Sequence, residues 1–486
     1  ARLLQPDVFS PMSSARTLMN HPLLTFALDW IDERTGLRHL MSEALDEPIP
    51  GGSSYAYTFG SALVFVFMLQ LLTGMFLTMY YVPSAEDAHR TVEYISKEVM
   101  CGAFLRGIHH YSASAMVILV VCHILQIIIW GAYKKKRELV WLVGAGLLQF
   151  ILAFSLTGYL LPWDMKAYFG TQVTVNIASE VPLLGDFIKR VIQGGPTLGT
   201  LTLSRFFMVH AFLLPALAIG GIGLHLFLFR KARPAGPFHL SEDQANARTE
   251  TFFPGQLFKD AFVALVIFGV IAWLAWTAPA PLEPKANPGN TAYIARPEWY
   301  FLSLFQLLKY FQGGLAIVGS LVIPGALISV LTFLPFIDRS PERNPFKRPV
   351  LMSCTAAVLA TIGILTFMAK SEDRATYAEQ FAKQARDGQE FLKQPFKPKE
   401  IGGAPVAPAA KKPIPEAFKT KCAMCHGDTG RGGPVGPNLA GISRTKEDII
   451  GLIENPGAHN ASKMPAVTGL SVEERTTLAE WIKELQ

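Results

Sequence analysis

Charge is scarce in this chain: Asp, Glu, Lys and Arg make up 17% of its 486 residues, while 50% are hydrophobic. With a positive mean hydropathy, that balance excludes an ordinary soluble enzyme and points to a polytopic membrane protein. Cysteine is scarce as well. Of the five, Cys101, Cys122 and Cys354 are scattered and Cys422 and Cys425 share one motif. No disulfide framework follows from that distribution, and the scattered three read as packing residues. The chain lacks an iron–sulfur ligand set, and it lacks the internal inverted repeats that would favour a transporter. Residues 1–58 contain no run long enough to span a bilayer and no signal-peptide pattern. The modest net charge of +6 gives no reason to expect a nucleic-acid partner.

Seven apolar stretches are present, at about 59–82, 107–131, 139–161, 205–229, 257–277, 315–337 and 350–369. Each is near the roughly 20 residues a bilayer requires. Ahead of them, Trp30 to Met41 mixes charges with apolar residues, as a short helix lying on a membrane surface would. Lys134 to Arg137, Arg230 to Arg233, and the group Arg339, Arg343, Lys347, Arg348 follow the second, fourth and sixth stretches. All three groups therefore fall on one side, which the positive-inside rule makes the cytoplasm. The N-terminus is then cytoplasmic, and everything after residue 370 lies outside.

The second and fourth stretches each carry two histidines. His109 and His123 are 14 residues apart, which on a helix is within about 40° of one face and roughly 21 Å along the axis. His210 and His225 are 15 apart, about 60° and roughly 22 Å. A lone histidine within a membrane helix is often a hydrogen-bonded packing residue. Four at matched depths suggest two bis-histidine sites between neighbouring helices, the arrangement that holds two stacked b-type haems. Gly60 and Gly74, and Gly144 and Gly158, are also 14 apart. Missing side chains at those two depths would let a porphyrin face approach the backbone, although glycine is common in membrane helices for packing reasons alone.

Beyond a charged, then Pro- and Ala-rich segment read as an extended tether lies Cys422-Ala-Met-Cys425-His426. This is the pattern for thioether attachment of a c-type haem with His426 as proximal ligand. A zinc site would need further partners, and only His459 remains in this region. Met424 is trapped inside the motif, leaving Met464 as the sixth-ligand candidate. Haem c is attached outside the cytoplasmic membrane, in agreement with the loop charges.

The histidine pairs, Gly158-Tyr-Leu-Leu-Pro-Trp-Asp164 and Pro297-Glu-Trp-Tyr300 resemble cytochrome b of the quinol-oxidising cytochrome bc and bf complexes. The second-pair spacing of 15, Ser112-Ala-Ser114 and Asn344-Pro-Phe-Lys-Arg-Pro349 resemble the chloroplast-type branch, here with both membrane subunits fused. The Lys-Met-Pro at Met464 resembles the methionine loop of small class I cytochromes c. The expected fold is all-α: a seven-helix membrane bundle binding two b haems, plus a small all-α cytochrome c domain. Its expected parts are an interfacial segment 1–58, a four-helix haem-binding core 59–250, a three-helix part 251–370, a linker 371–413 and the cytochrome c domain 414–486. Thr58 stands where some members attach a further haem through cysteine, so that group is not expected.

The resemblance implies a quinol:cytochrome c oxidoreductase of a bacterial cytoplasmic membrane. His109 and His210 would hold an outer, low-potential haem, and His123 and His225 an inner, high-potential one. Glu298 would accept a proton from quinol, with Tyr300 lining the same pocket. A partly buried carboxylate suits that task. The alternative for Glu298 is a helix-start carboxylate held by free backbone amides. Arg106 and Arg205, just before the outer pair, would face haem propionates or serve as solvated helix-end charges. The implied partners are a separate Rieske iron–sulfur protein, the membrane quinone pool, an inner quinone site, a downstream cytochrome c or terminal oxidase, and a second copy of the complex. A dihaem membrane anchor of a dehydrogenase would also pair histidines, but it would lack the Pro-Glu-Trp-Tyr loop and the seven-span plan.

Overall fold

The computed structural model describes residues 22–290, 292–398, 414–430, 439, 444–456, 464 and 467–485. The chain divides into two compact units, Ala1–Ile401 and Gly402–Gln486.

Seven helices of the first unit are long and apolar enough to cross a membrane: Tyr55–Thr78, Gly102–Trp130, Glu138–Tyr159, Thr200–Ala232, Phe252–Thr277, Gly313–Thr332 and Pro349–Thr376. The chain is thus an all-α multi-pass membrane protein. Runs of Leu, Ile, Val and Phe make helix the only open-chain form that satisfies its own backbone in lipid. The first span packs on the second and the third on the fourth, while the fifth packs against the first two. The second span ends at Gly131, whose φ of 58° lets its N–H turn back onto the last helical carbonyls.

At one end the loops after the second, fourth and sixth spans meet. Arg343 donates to the carbonyls of Trp130 (3.2 Å) and Gly236, Arg137 to that of Arg233 (3.0 Å), and Lys134 pairs with Asp338 at 2.8 Å. Arg348 is buried there and donates to the carbonyls of Ile128 and Ile129, both at 2.9 Å. Several of the cations used to read topology are therefore also structural ties. At the other end, helices Met165–Ser179 and Gly185–Gln193 pack at the ends of the third and fourth spans, through Val175 and Ile192 in a cluster with Leu160 and Leu203 and through Thr202 on the Gln193 carbonyl (2.7 Å).

Three features depart from the sequence expectations. The surface segment is two helices, Pro22–Thr35 and Leu37–Leu45, broken at Gly36 in the left-handed region (φ 63°). Residues 371–393 are not an extended tether. The seventh span continues to Thr376, and an amphipathic helix, Ala378–Lys393, follows. It is pinned to the outer loops by Gln384 on both backbone groups of Ile294 (3.2 and 3.3 Å) and by Lys97 on the Phe391 carbonyl (2.8 Å). Its apolar residues recur at helical spacing among the charges, a signal that a count of charges hides. Third, the fourth span is not regular: Val209–Leu213 forms a π turn two residues before Pro215. Proline lacks an N–H and crowds the preceding turn, and a wider turn accommodates it.

Candidate functional site

That π turn resolves the unequal histidine spacings. An extra residue in a regular helix would rotate the rest of the helix by about 100°. Here it is absorbed between His210 and His225, so the 15-residue pair occupies the two depths of the 14-residue pair. The unequal spacing and Pro215 were the available signals.

Each histidine faces one glycine on the neighbouring helix. A Cβ at Gly74 would stand 3.3 Å from the His109 ring, at Gly60 3.7 Å from His123, at Gly158 2.5 Å from His210, and at Gly144 3.0 Å from His225. The glycines therefore admit the imidazoles as well as opening space beside them. All eight residues line one cavity of about 1360 Å³.

At the outer depth the His109 and His210 rings face each other with centroids 6.4 Å apart. Two trans imidazoles on one metal, each bonded at about 2 Å, would place their centroids roughly 6 Å apart. Thr73 Oγ1 lies 3.0 Å from His109 Nδ1 and Thr157 Oγ1 3.1 Å from His210 Nδ1. Each hydroxyl already donates its proton to a helix carbonyl, Leu69 at 2.6 Å and Ala153 at 2.7 Å. Toward the imidazole it can only accept, so Nδ1 carries the hydrogen and the Nε2 lone pair is free for a ligand bond. At the inner depth, His123 Nδ1 and His225 Nδ1 are buried without a hydrogen-bond partner. The Val140 carbonyl faces His225 without reaching hydrogen-bond geometry. Among the described residues no three His, Cys, Asp or Glu side chains converge on one point as an isolated metal ion would require. Paired imidazoles in glycine-cleared space fit a planar tetrapyrrole with two axial ligands.

The outer end of the cavity is rich in ionisable groups. Glu298 precedes the short turn Trp299–Phe301, but its side chain caps nothing. Instead its Oε1 accepts from Lys166 Nζ at 2.7 Å. The capping role belongs to Asp164, whose Oδ1 accepts from the Ala167 amide (2.8 Å) and Oδ2 from the Glu283 amide (3.1 Å). Tyr159 donates toward the carbonyls of both Lys166 and Arg296, each at 3.1 Å, and Trp299 Nε1 donates to Ser114 Oγ at 3.2 Å, which fixes the loop against the second and third spans. Burial and then the neighbouring Glu298 charge push the Tyr300 phenol up to about 12. Glu283 accepts from Tyr293 at 2.7 Å; burial, then the Asp164 charge, push its carboxyl up to about 7. Lys166 and Glu283 were not legible beforehand, because each acts across more than a hundred residues or within an unassigned loop.

The two arginines separate. Arg106 lines the cavity while donating to the Ala280 (2.9 Å) and Pro281 carbonyls. Arg205 is exposed, and its guanidinium donates to the carbonyls of Arg190 and Val191. At the inner end Asp260 is buried, accepting from Ser61 Oγ (2.7 Å) and Gln256 Nε2 (2.8 Å) beside Gly60. Sequence reading named none of these three, although an acid in the first turn of an apolar span was a signal.

In the second unit, Cys422 and His426 are buried, and the His426 amide closes a turn onto the Cys422 carbonyl at 3.0 Å. Met424 is 87% exposed. The turn rests on a core of Phe418 against Trp481, rings 4.6 Å apart, closed by helices Lys446–Glu454 and Val472–Glu484. Met464 is half-buried, and His459 lies outside the described residues.

Three family models match along the chain: cytochrome b/b6/petB over residues 44–233, cytochrome b(C-terminal)/b6/petD over 285–384, and cytochrome C oxidase, cbb3-type, subunit III over 409–482. A cytochrome bc complex cytochrome b subunit of Chlorobaculum thiosulfatiphilum is 36% identical over 322 residues, which is 66% of this chain and 74% of the relative. The chain belongs to the cytochrome b family. Its membrane unit carries both halves of cytochrome b, and a cytochrome c domain follows, so b- and c-type haem are its cofactors. A menaquinol:cytochrome c reductase cytochrome b subunit of Geobacillus thermodenitrificans is 41% identical over 223 residues, 44% of this chain and all of the relative. A solved hyperthermophilic respiratory Complex III matches with a TM-score of 0.63 at 27% identity, covering 75% of this chain and 95% of that one.

Proposed function

We propose that this chain is the cytochrome b and c subunit of a quinol:cytochrome c oxidoreductase, oxidising quinol at the outer end of its cavity. The observation that carries the reading is Glu298, held by Lys166 rather than by a helix terminus, in the cavity that the outer histidine pair also lines. His109 with His210, and His123 with His225, would each hold a b haem, and the two groups would supply a one-electron path across the membrane; the other electron of each quinol would leave through a separate Rieske protein to haem c.

The protein's residues handle the protons and the positioning. A quinol hydroxyl entering beside Tyr300 gives its proton to the Glu298 carboxylate. Neutralising that carboxylate weakens its ion pair with Lys166, which frees the side chain to release the proton toward the outer aqueous side. Arg106, lining the cavity, is placed to face propionates. Asp260, with Ser61 and Gln256, is the acid at the inner end, where quinone takes up protons. His426 and Met464 would ligate haem c, with Cys422 and Cys425 as its attachment points. The loop charges support a cytochrome c domain outside a bacterial cytoplasmic membrane. The complex works as a homodimer and hands electrons to a downstream cytochrome c or terminal oxidase.

A reduced-minus-oxidised spectrum of the purified protein tests this reading. Two resolved b haems and one c haem, all reducible by menaquinol or ubiquinol with the Rieske partner present, are expected. One b haem, or reduction by neither quinol, would overturn it.

A further inference from the structure

The two histidine pairs differ in one respect that depth alone does not require. In each outer pair member, Nδ1–H is taken by a threonine hydroxyl whose own proton is committed elsewhere. In the inner pair the same atoms have no such partner. The threonines occupy equivalent places, each immediately before the glycine that faces the ring: Thr73 before Gly74 and Thr157 before Gly158. One helical register lower, the positions before Gly60 and Gly144 are Phe59 and Val143, which offer no hydroxyl. Backbone carbonyls of Gln70 and Phe154 flank the outer rings and that of Val140 flanks His225, while His123 has no such neighbour. The hydroxyls are the side-chain difference between the pairs, present at both outer rings and at neither inner one.

A hydrogen-bond acceptor on the far nitrogen of a ligating imidazole fixes its tautomer and raises its basicity. A more basic ligand donates more strongly to the oxidised metal and favours it, so the site gives up an electron more readily. We propose that Thr73 and Thr157 are positioning residues that, through His109 and His210, hold the outer haem's reduction potential below that of the inner one. The assignment rests on the reading of the histidine pairs as haem ligands and says something further: the direction of electron flow is written in two hydroxyls on the helices opposite.

Valine and threonine have nearly the same shape, so the test exchanges them at equivalent positions. Optical redox titration of the holoprotein follows each b haem separately, without turnover. In the double variant T73V/T157V the outer haem should be easier to reduce, by roughly three- to tenfold in its reduction equilibrium, tenfold being about 59 mV for one electron. The inner haem should not move. T73S and T157S, which keep the hydroxyl, should titrate like the parent. V143T offers His225 the acceptor it lacks and should shift the inner haem the opposite way, which keeps the proposal testable should the valine variants lose haem. An outer potential unchanged in T73V/T157V with both haems bound would overturn the threonine role. Absence of two b haems from the parent would overturn the underlying ligand reading.

Discussion

The two ends of the cavity share a geometry and differ in chemistry. Both present a pair of imidazoles on facing helices, each ring admitted by a glycine. Around the outer pair, however, Lys166 pairs with Glu298, and Glu283 is hydrogen-bonded to both Asp164 and Tyr293. Around the inner pair, Asp260 stands with only neutral partners, Ser61 and Gln256. Both ends thus offer the same imidazole pair in different surroundings: ionisable groups crowd one end, and at the other a buried acid stands with neutral partners. Helix periodicity sets the imidazole pairs, and what distinguishes the two ends lies in their surroundings.

The most drastic way to test that division is to remove one pair. His123→Leu or His225→Leu should abolish the inner b-haem signal completely and leave haem c, since its ligands belong to the other unit. If both b signals survived in the difference spectrum, the pairing would be wrong. Next in size is Glu298→Gln, which keeps shape and most hydrogen bonding but removes the base. General-base roles are worth about 10² to 10⁴ in rate, so quinol-to-cytochrome turnover, normalised to haem b, should fall by tens-fold or more with both b haems assembled. Turnover within about twofold of the parent at every pH would leave Glu298 a structural residue.

Smaller effects separate the ends by fit. Gly158→Ala places a methyl 2.5 Å from the His210 ring, whereas Gly60→Ala leaves ordinary contact at 3.7 Å. The former should lower outer haem occupancy and the latter should not, as pyridine haemochrome assay against protein will show. The smallest effect is at Glu283. Its carboxyl pKa is raised in the fold to about 7, so between its ordinary range and pH 7 the folded state binds more protons than the unfolded one. Stability on its account therefore falls as pH rises through that window and levels off above it. Glu283→Gln should remove this loss, making the variant relatively more stable at pH 8 than at pH 5 by on the order of 1 kcal/mol. Thermal unfolding at the two pH values, with no such crossover, would refute the burial of an ionising acid there.

Legibility in the sequence divides along the same line. His109, His123, His210 and His225 were legible because helix geometry converts spacing into depth, and Cys422 to His426 because the motif is contiguous. The partner of Glu298 was not, since Lys166 lies 132 residues earlier, in the first turn of a helix whose position only the fold defines. Residues 371–393 were misread because their charges mask an amphipathic repeat. The Thr-Gly dipeptides at 73–74 and 157–158 were visible as a repeat, yet nothing in composition says which atom a hydroxyl will face.

The two depths also have an electrical meaning. The 14 residues between His109 and His123 span about 21 Å of a hydrocarbon layer about 30 Å thick. The bundle is thus the dielectric of a charged capacitor, with the histidine pairs as two taps inside it. A unit charge crossing the whole layer works against about 2.3 kcal/mol per 100 mV, so passing from one tap to the other accounts for about 1.6 kcal/mol. On a membrane positive outside, an electron moving inward climbs that step. The inner site must therefore hold the electron more tightly by at least this amount for the transfer to stay downhill. On the proposed path, transfer between the taps slows as membrane voltage builds, while a proton released at the proposed outer end feels little of the field.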